Sequence, residues 1–205
     1  MSAIRLTTLL GDQFNINGDQ ANLLVLQKRL AWLGFASEVI SVASSDQLVA
    51  SEAHFVLLGH GSLAANKSAL STWPSMAEDF LDATQKLPGL AVGSGASSIS
   101  AAAGFSLSRL DEPISEFATE ALDDLELLGY KFADVTPAVT HMVNEAVVTW
   151  LHGPILAKNP RLADALIIRI LNAAGKEHPT ISSNENTRKI DEILAGVWRL
   201  EKPQS

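Results

Sequence analysis

The chain contains no cysteine. That excludes disulfides, thiolate metal sites and a cysteine nucleophile together. Charge is also sparse: Asp, Glu, Lys and Arg make up 19% of the 205 residues, against roughly 25% in an average globular chain. With hydrophobic residues at 47%, there is ample material for a core and little resemblance to a disordered chain. A basic patch is missing too. The 15 Lys and Arg are scattered and outnumbered by 23 Asp and Glu, for a net charge of -8, so the sequence has no electrostatic footprint for nucleic acid. Finally, there is no long hydrophobic run. The longest uncharged stretch, Leu87 to Ser108, is long enough to span a membrane but is diluted by serines, glycines and Pro88. The short apolar run at the start is ended by Gly11 and Asp12 and is followed by no cleavage pattern, so no signal peptide is read. A soluble, cytoplasmic protein with no membrane insertion is expected.

What is present is an alternation of strand-like and helix-like segments. Residues 4–10 read as a strand, 11–19 as a turn-rich loop, 21–34 as a helix stopped by Gly34, and 37–42 as a strand. A second unit follows: a buried-type strand at 54–58 ending in Gly59-His60-Gly61, a helix at 73–86 with Pro74 in its first turn, a short strand at 90–92, and a helix over 96–103. Residues 105–146 are less regular, with 114–128 partly helical and acidic. A strand at 145–151 leads into His152-Gly153-Pro154, a periodic helix covers 161–174, a polar linker 180–186, a last helix 187–198, and a loose tail 201–205. This order predicts one domain over 1–205, an α/β fold with a mostly parallel sheet and helices on both faces. In such sheets the working loops lie at the carboxyl ends of the strands, here 11–19, 59–66 and 93–97.

Three segments carry a resemblance. Asn15 to Asn22, followed by an apolar helix, is similar to N-L-Y-G/S-D-x-G-N. Leu90 to Ser97, preceded by Pro88 and Gly89, has the form of a strand–turn–helix. Trp150 to Pro160, continuing to Asp164 and Leu166, looks like Y-L-H-G-P-x-L-x-K-N-P. Together they resemble the cobyric-acid-synthase-type class I glutamine amidotransferases, closest to the GatD glutaminases that work with Mur-ligase-like proteins. Residues 105–146 have no counterpart in the pattern. The resemblance implies a flavodoxin-like fold and a cysteine at the strand-to-helix turn that attacks the side-chain amide of glutamine. It also implies a histidine acting as base and then acid, and backbone N–H groups holding the oxyanion. No cofactor is implied.

Against that pattern the sequence shows losses. The family's L-A-[IV]-C-G-G-[YF]-Q aligns with Leu90 to Ser97, which puts Gly93 at the nucleophile's position. A glycine has no side chain to attack with, although it fits the turn. The loop like G-G-G-S-D-R-E-Q aligns with Gly59, His60, Gly61, Ser62, Leu63, Ala64, Ala65 and Asn66, and its polar end has become apolar. His152 occupies the position of the catalytic histidine. The leading expectation is therefore a glutaminase-dead homologue that binds or regulates a Mur-ligase-like synthetase or an active paralogue. Two alternatives stay open. One is a hydrolase using Ser94 with His152, although Ser94 is one residue out of register and lacks the G-x-S-x-G setting. The other is a module holding a small ligand less polar than glutamine, suggested by Leu63 and Ala64. A metal at His60 and His152 lacks a third ligand at suitable spacing. Asp19 and Asn22 are expected to cap and tie down the first helix. Trp32, Trp73, Trp150 and Trp198 are expected as core or interface anchors, with Trp198 the best placed for a partner contact.

Overall fold

A computed structural model of the chain describes residues 2–177, 179–181 and 184–202. Strands β1 (Ile4–Leu9), β2 (Ser37–Val42), β3 (Phe55–Leu58), β4 (Gly89–Val92) and β8 (Ala146–Thr149) run parallel, and β7 (His141–Val143) closes the edge antiparallel to β8. The order is β2-β1-β3-β4-β8-β7. The central strands β3, β4 and β8 are buried at every position, as a sheet covered on both faces requires. Their side chains divide with a period of two. Phe55, Leu57, Leu90, Val92 and Val147 face the layer of α1 (Ala21–Trp32), α6 (Ile155–Lys158) and α7 (Pro160–Ala173). Val56, Leu58, Ala91 and Val148 face α4 (Met76–Thr84) and α5 (Ser94–Ala102).

Several elements differ from the sequence reading. Residues 114–128 are not helical. They form a long antiparallel hairpin of β5 (Ser108–Leu122) and β6 (Leu125–Thr136), joined by a two-residue turn in which Asp123 has φ +52°. Ile114, Phe117, Ala118, Ala121 and Leu122 recur at helical spacing, but pairing to β6 overrides that period and leaves Phe117 exposed. Two helices absent from the sequence reading, α2 (Ser45–Ala50) and α3 (Leu63–Thr72), start behind Ser44 and Ser62, whose hydroxyls accept from Gln47 N and Ala65 N. Trp73 and Pro74 precede α4 rather than open it, and α5 begins at Ser94, two residues before the expected start. The strand read at 145–151 is split. β8 ends at Thr149, buried Trp150 intervenes, and β9 (Leu151–His152) joins the hairpin in a second sheet, β5-β6-β9. The last helix, α8, is longer than read, Glu185–Glu201. The linker at 180–186 and the tail at 201–205 lie partly outside the described residues. No helix among the described residues is long and apolar enough to cross a membrane.

Two asparagines lock the turn that carries His152. Asn22 donates to Asp19 O (2.9 Å) and accepts from Leu156 N (3.0 Å). Asn159 donates to Leu128 O and Ile155 O and accepts from Leu128 N, joining α6 to β6. On the outer side of α1, buried Arg29 reaches Asp164 of α7 and Asp191 of α8 (2.8 Å). Burial raises the Asp164 carboxyl, and the guanidinium opposes that shift. Removing the cation leaves two carboxylates facing each other without a partner. Arg29→Ala is expected to lower unfolding free energy by about 2–3 kcal/mol, less than a fully buried pair costs because both acids are partly exposed. Urea denaturation measures it; a loss under about 0.5 kcal/mol, typical of a neutral surface substitution, would contradict the role.

Candidate functional site

The carboxyl ends of β1, β3, β4 and β8 meet at one edge of the sheet, and the loops leaving them form the candidate site. After β4 the chain turns through Gly93 at φ +59°, ψ -115°, directly into α5. That conformation is strained for any residue with a Cβ. A Cβ at Gly93 would lie 2.4 Å from His60 Nδ1 and 2.5 Å from His152 Cε1. The space a side chain at the elbow would use is therefore filled by two imidazoles, which pack edge to face with centroids 4.9 Å apart.

His60 enters from the loop after β3. Gly59 is required there because a Cβ would meet Phe14 O at 2.2 Å. The Ser94 N–H donates to His60 Nδ1 (3.0 Å), so the ring accepts at Nδ1 and carries its proton on Nε2. Burial lowers the His60 pKa, with Asp134 opposing. The loop is fixed from both sides. The His60 N–H donates to Asp19 Oδ2 (2.7 Å), and the Gly61 N–H donates to Ser94 Oγ (2.9 Å), which returns a bond to Gly61 O (3.2 Å). Ser94 Oγ is thus committed to the loop backbone, which removes the support for Ser94 as a nucleophile activated by His152. Ser62, exposed, caps α3 instead of lining the cleft.

His152 is buried at the end of β9. Asn17 Nδ2 donates to its Nδ1 (2.8 Å), and its Nε2 donates to Phe132 O (3.2 Å). Both nitrogens are occupied, which leaves no lone pair to serve as a base. Burial pushes its pKa from 6.5 down to about 4, with the neighbouring His60 ring adding and the Phe132 carbonyl opposing.

Asp19 does not cap α1. The helix starts after Gln20 with no side-chain cap, and the Asp19 carboxylate turns toward residues 59 and 60. Its Oδ1 is buried without a hydrogen bond, and burial raises its pKa from 3.8 to about 6, against the lowering bond from His60 N. Trp198 is used within the chain, donating from Nε1 to Lys158 O (2.6 Å).

The cleft in front of these groups has a volume of about 520 Å3. Asn17, His60, His152 and Gly153 form its base. Tyr130, Phe132 and Ser115 of the hairpin form one wall and Ile16 the rim. The sequence reading missed the hairpin residues, because nothing local places 115–132 opposite 152. Among the described residues no group of three His, Asp or Glu side chains could hold a metal ion. A larger cavity, about 910 Å3, lies elsewhere, against α1 and α8. It is walled by Leu24, Val25, Trp32, Phe35, Ile190 and Leu194 and offers little for chemistry.

No family model matches the chain, and no curated protein matches it. Solved structures do. A protein assigned to GMP synthase, as one of its subunits, from Thermoplasma acidophilum superposes with a TM-score of 0.54 at 12% identity, covering 94% of this chain and 99% of that one. The chain has the flavodoxin-like class I glutamine amidotransferase fold. A glutamine amidotransferase from Thermotoga maritima, 14% identical over 97% of this chain and 96% of its own, matches more loosely with a TM-score of 0.46. At these identities the likeness speaks for the fold alone. Active members of this fold hydrolyse glutamine, and this chain has the fold without any cysteine.

The two buried titrating groups generate opposite pH dependences. Between about pH 4 and 6 folded Asp19 keeps a proton that the unfolded chain releases, so its contribution falls as pH rises through that window. Between about pH 4 and 6.5 the unfolded chain binds a proton that folded His152 refuses, so its contribution rises with pH. Each is worth on the order of 3 kcal/mol, and the two nearly cancel. Asp19→Asn is expected to make stability climb more steeply with pH over that range than wild type, and His152→Gln to make it fall. Urea titrations at several pH values measure this; curves parallel to wild type would refute both assignments.

Proposed function

We propose that this chain is a glutaminase-dead amidotransferase domain that acts by binding. The observation that carries the reading is the hydrogen bond from Ser94 N to His60 Nδ1. In hydrolases built on a strand-to-helix elbow, the N–H after the nucleophile stabilises the oxyanion. Here Gly93 takes the nucleophile's place, and that N–H is spent on His60. The Gly61 N–H, a candidate second donor, is spent on Ser94 Oγ, and His152 has both nitrogens engaged. Nucleophile, base and oxyanion donors are each missing or occupied.

The finer reading is a GatD-like domain whose role is to bind or regulate a Mur-ligase-like synthetase or an active paralogue. It is supported by the segment Trp150 to Pro160. Asn159 ties α6 to the hairpin there, and Trp150, held by a bond from Nε1 to Ser97 Oγ, packs behind α5, so the segment maintains the site's architecture without its chemistry.

Glutamate release from glutamine is the test. Wild type is expected to give none. Gly93→Cys alone is expected to stay silent and to lose about 2–4 kcal/mol of stability, from strain at positive φ and overpacking against His60 and His152. The double variant Gly93→Cys with His60→Gly removes one of the two clashes and frees Ser94 N, and should recover part of that loss, since the positive-φ strain and the contact with His152 remain. Wild-type turnover that His152→Ala abolishes would overturn the reading.

A further inference from the structure

We infer that the cleft binds an uncharged aromatic small molecule carrying a hydrogen-bond acceptor, in place of a zwitterionic amino acid. This rests on reading the chain as a non-hydrolysing domain. The first observation is charge. The lining consists of Ile, Asn, Ser, Tyr, Phe, Gly and two histidines whose hydrogen bonds fix them as neutral rings. No charged side chain among the described residues lines the cleft: Asp19 lies behind the 59–60 loop, bonded to His60 N, and is not among the lining residues. Lys131 pairs with Glu120 (2.7 Å), and Asp134 is exposed on β6 outside the lining. A free amino acid would set a carboxylate and an ammonium against walls with no counter-charge, which costs desolvation without return.

The second observation is shape and polarity. About 520 Å3 is within the range of small-molecule sites. Phe132 is half-buried, with its ring centroid 6.2 Å from both His60 and His152, and Tyr130 stands beside it on β6. These rings offer offset or edge-on stacking to a flat ligand. The third observation is a donor without a partner. His60 accepts at Nδ1, so its Nε2 carries the proton, and no hydrogen bond from it is present among the described residues. A carbonyl or ring nitrogen on the ligand would accept it. Two backbone donors at the elbow, Ser94 N and Gly61 N, are already spent, so this ring N–H is a directional donor the cleft still offers.

Backbone-amide NMR titration of the intact chain tests this with benzamide, nicotinamide and uracil as neutral rings, and with benzoate and L-glutamine as charged comparators. At least one neutral ring is expected to shift the amides of Tyr130, Phe132 and Gly153 saturably, with both comparators inert at the same concentration. Phe132→Leu, which keeps an apolar side chain and the fold, is expected to weaken that binding roughly 3–10-fold, the worth of one ring–ring contact. No saturable shift from any of the three rings overturns the inference. So does a ring whose affinity Phe132→Leu leaves unchanged, or glutamine binding as tightly as the best ring. Bound but unhydrolysed glutamine would sink this inference and leave the non-hydrolysing reading standing, whereas glutamate release would sink that reading.

Discussion

A backbone N–H at a strand-to-helix elbow has one hydrogen to give, and in this protein Ser94 gives it to His60. Much of the site follows. To accept that bond the imidazole must lie over Gly93, in the volume a side chain there would need. With the ring in that volume, His152 packs edge-on against it, and His152 in turn is held by Asn17 from one side and the Phe132 carbonyl from the other. The loop carrying His60 is anchored by Asp19 and by the reciprocal bonds of Ser94 and Gly61. The space beside Gly93 is therefore not empty. The neighbouring groups have closed around it.

The arrangement is also electrically quiet. Two histidines kept neutral by burial face a carboxyl that burial pushes toward its protonated form. None of the three is paired with an opposite charge, and the linkage terms of Asp19 and His152 oppose each other across the same pH range. The histidines are constrained by geometry as well: both His152 nitrogens and His60 Nδ1 are already hydrogen-bonded.

Much of the fold was legible in the sequence because the parallel strands are short apolar runs followed by glycine-rich loops, and burial on both faces produces that pattern directly. The hairpin was not. Its apolar residues at 114, 117, 118, 121 and 122 fit a helix, and only the pairing of β5 with β6 decides otherwise. The site was legible in part. Resemblance singles out Gly93, His152 and the 59–62 loop; the structure brings Gly93, His60 and His152 together, while Ser62 caps α3. The role of His60 was not, because it depends on residues 60 and 94 coming within a hydrogen bond of each other across β3 and β4. Asp19 misled for a similar reason: its position suggests a helix cap, yet its carboxylate serves a loop more than forty residues away in the chain.

The most direct test of the account is the protonation state of the two imidazoles, read from the ring nitrogen shifts of His60 and His152 by NMR across a pH titration. The account predicts neutral rings with the proton on Nε2 in both at neutral pH, and no protonation of His152 until about pH 4. Either ring titrating near 6.5, or carrying its proton on Nδ1, would mean that Ser94 N is not spent on His60 or that His152 keeps a free nitrogen, and the site would not be closed in the way described.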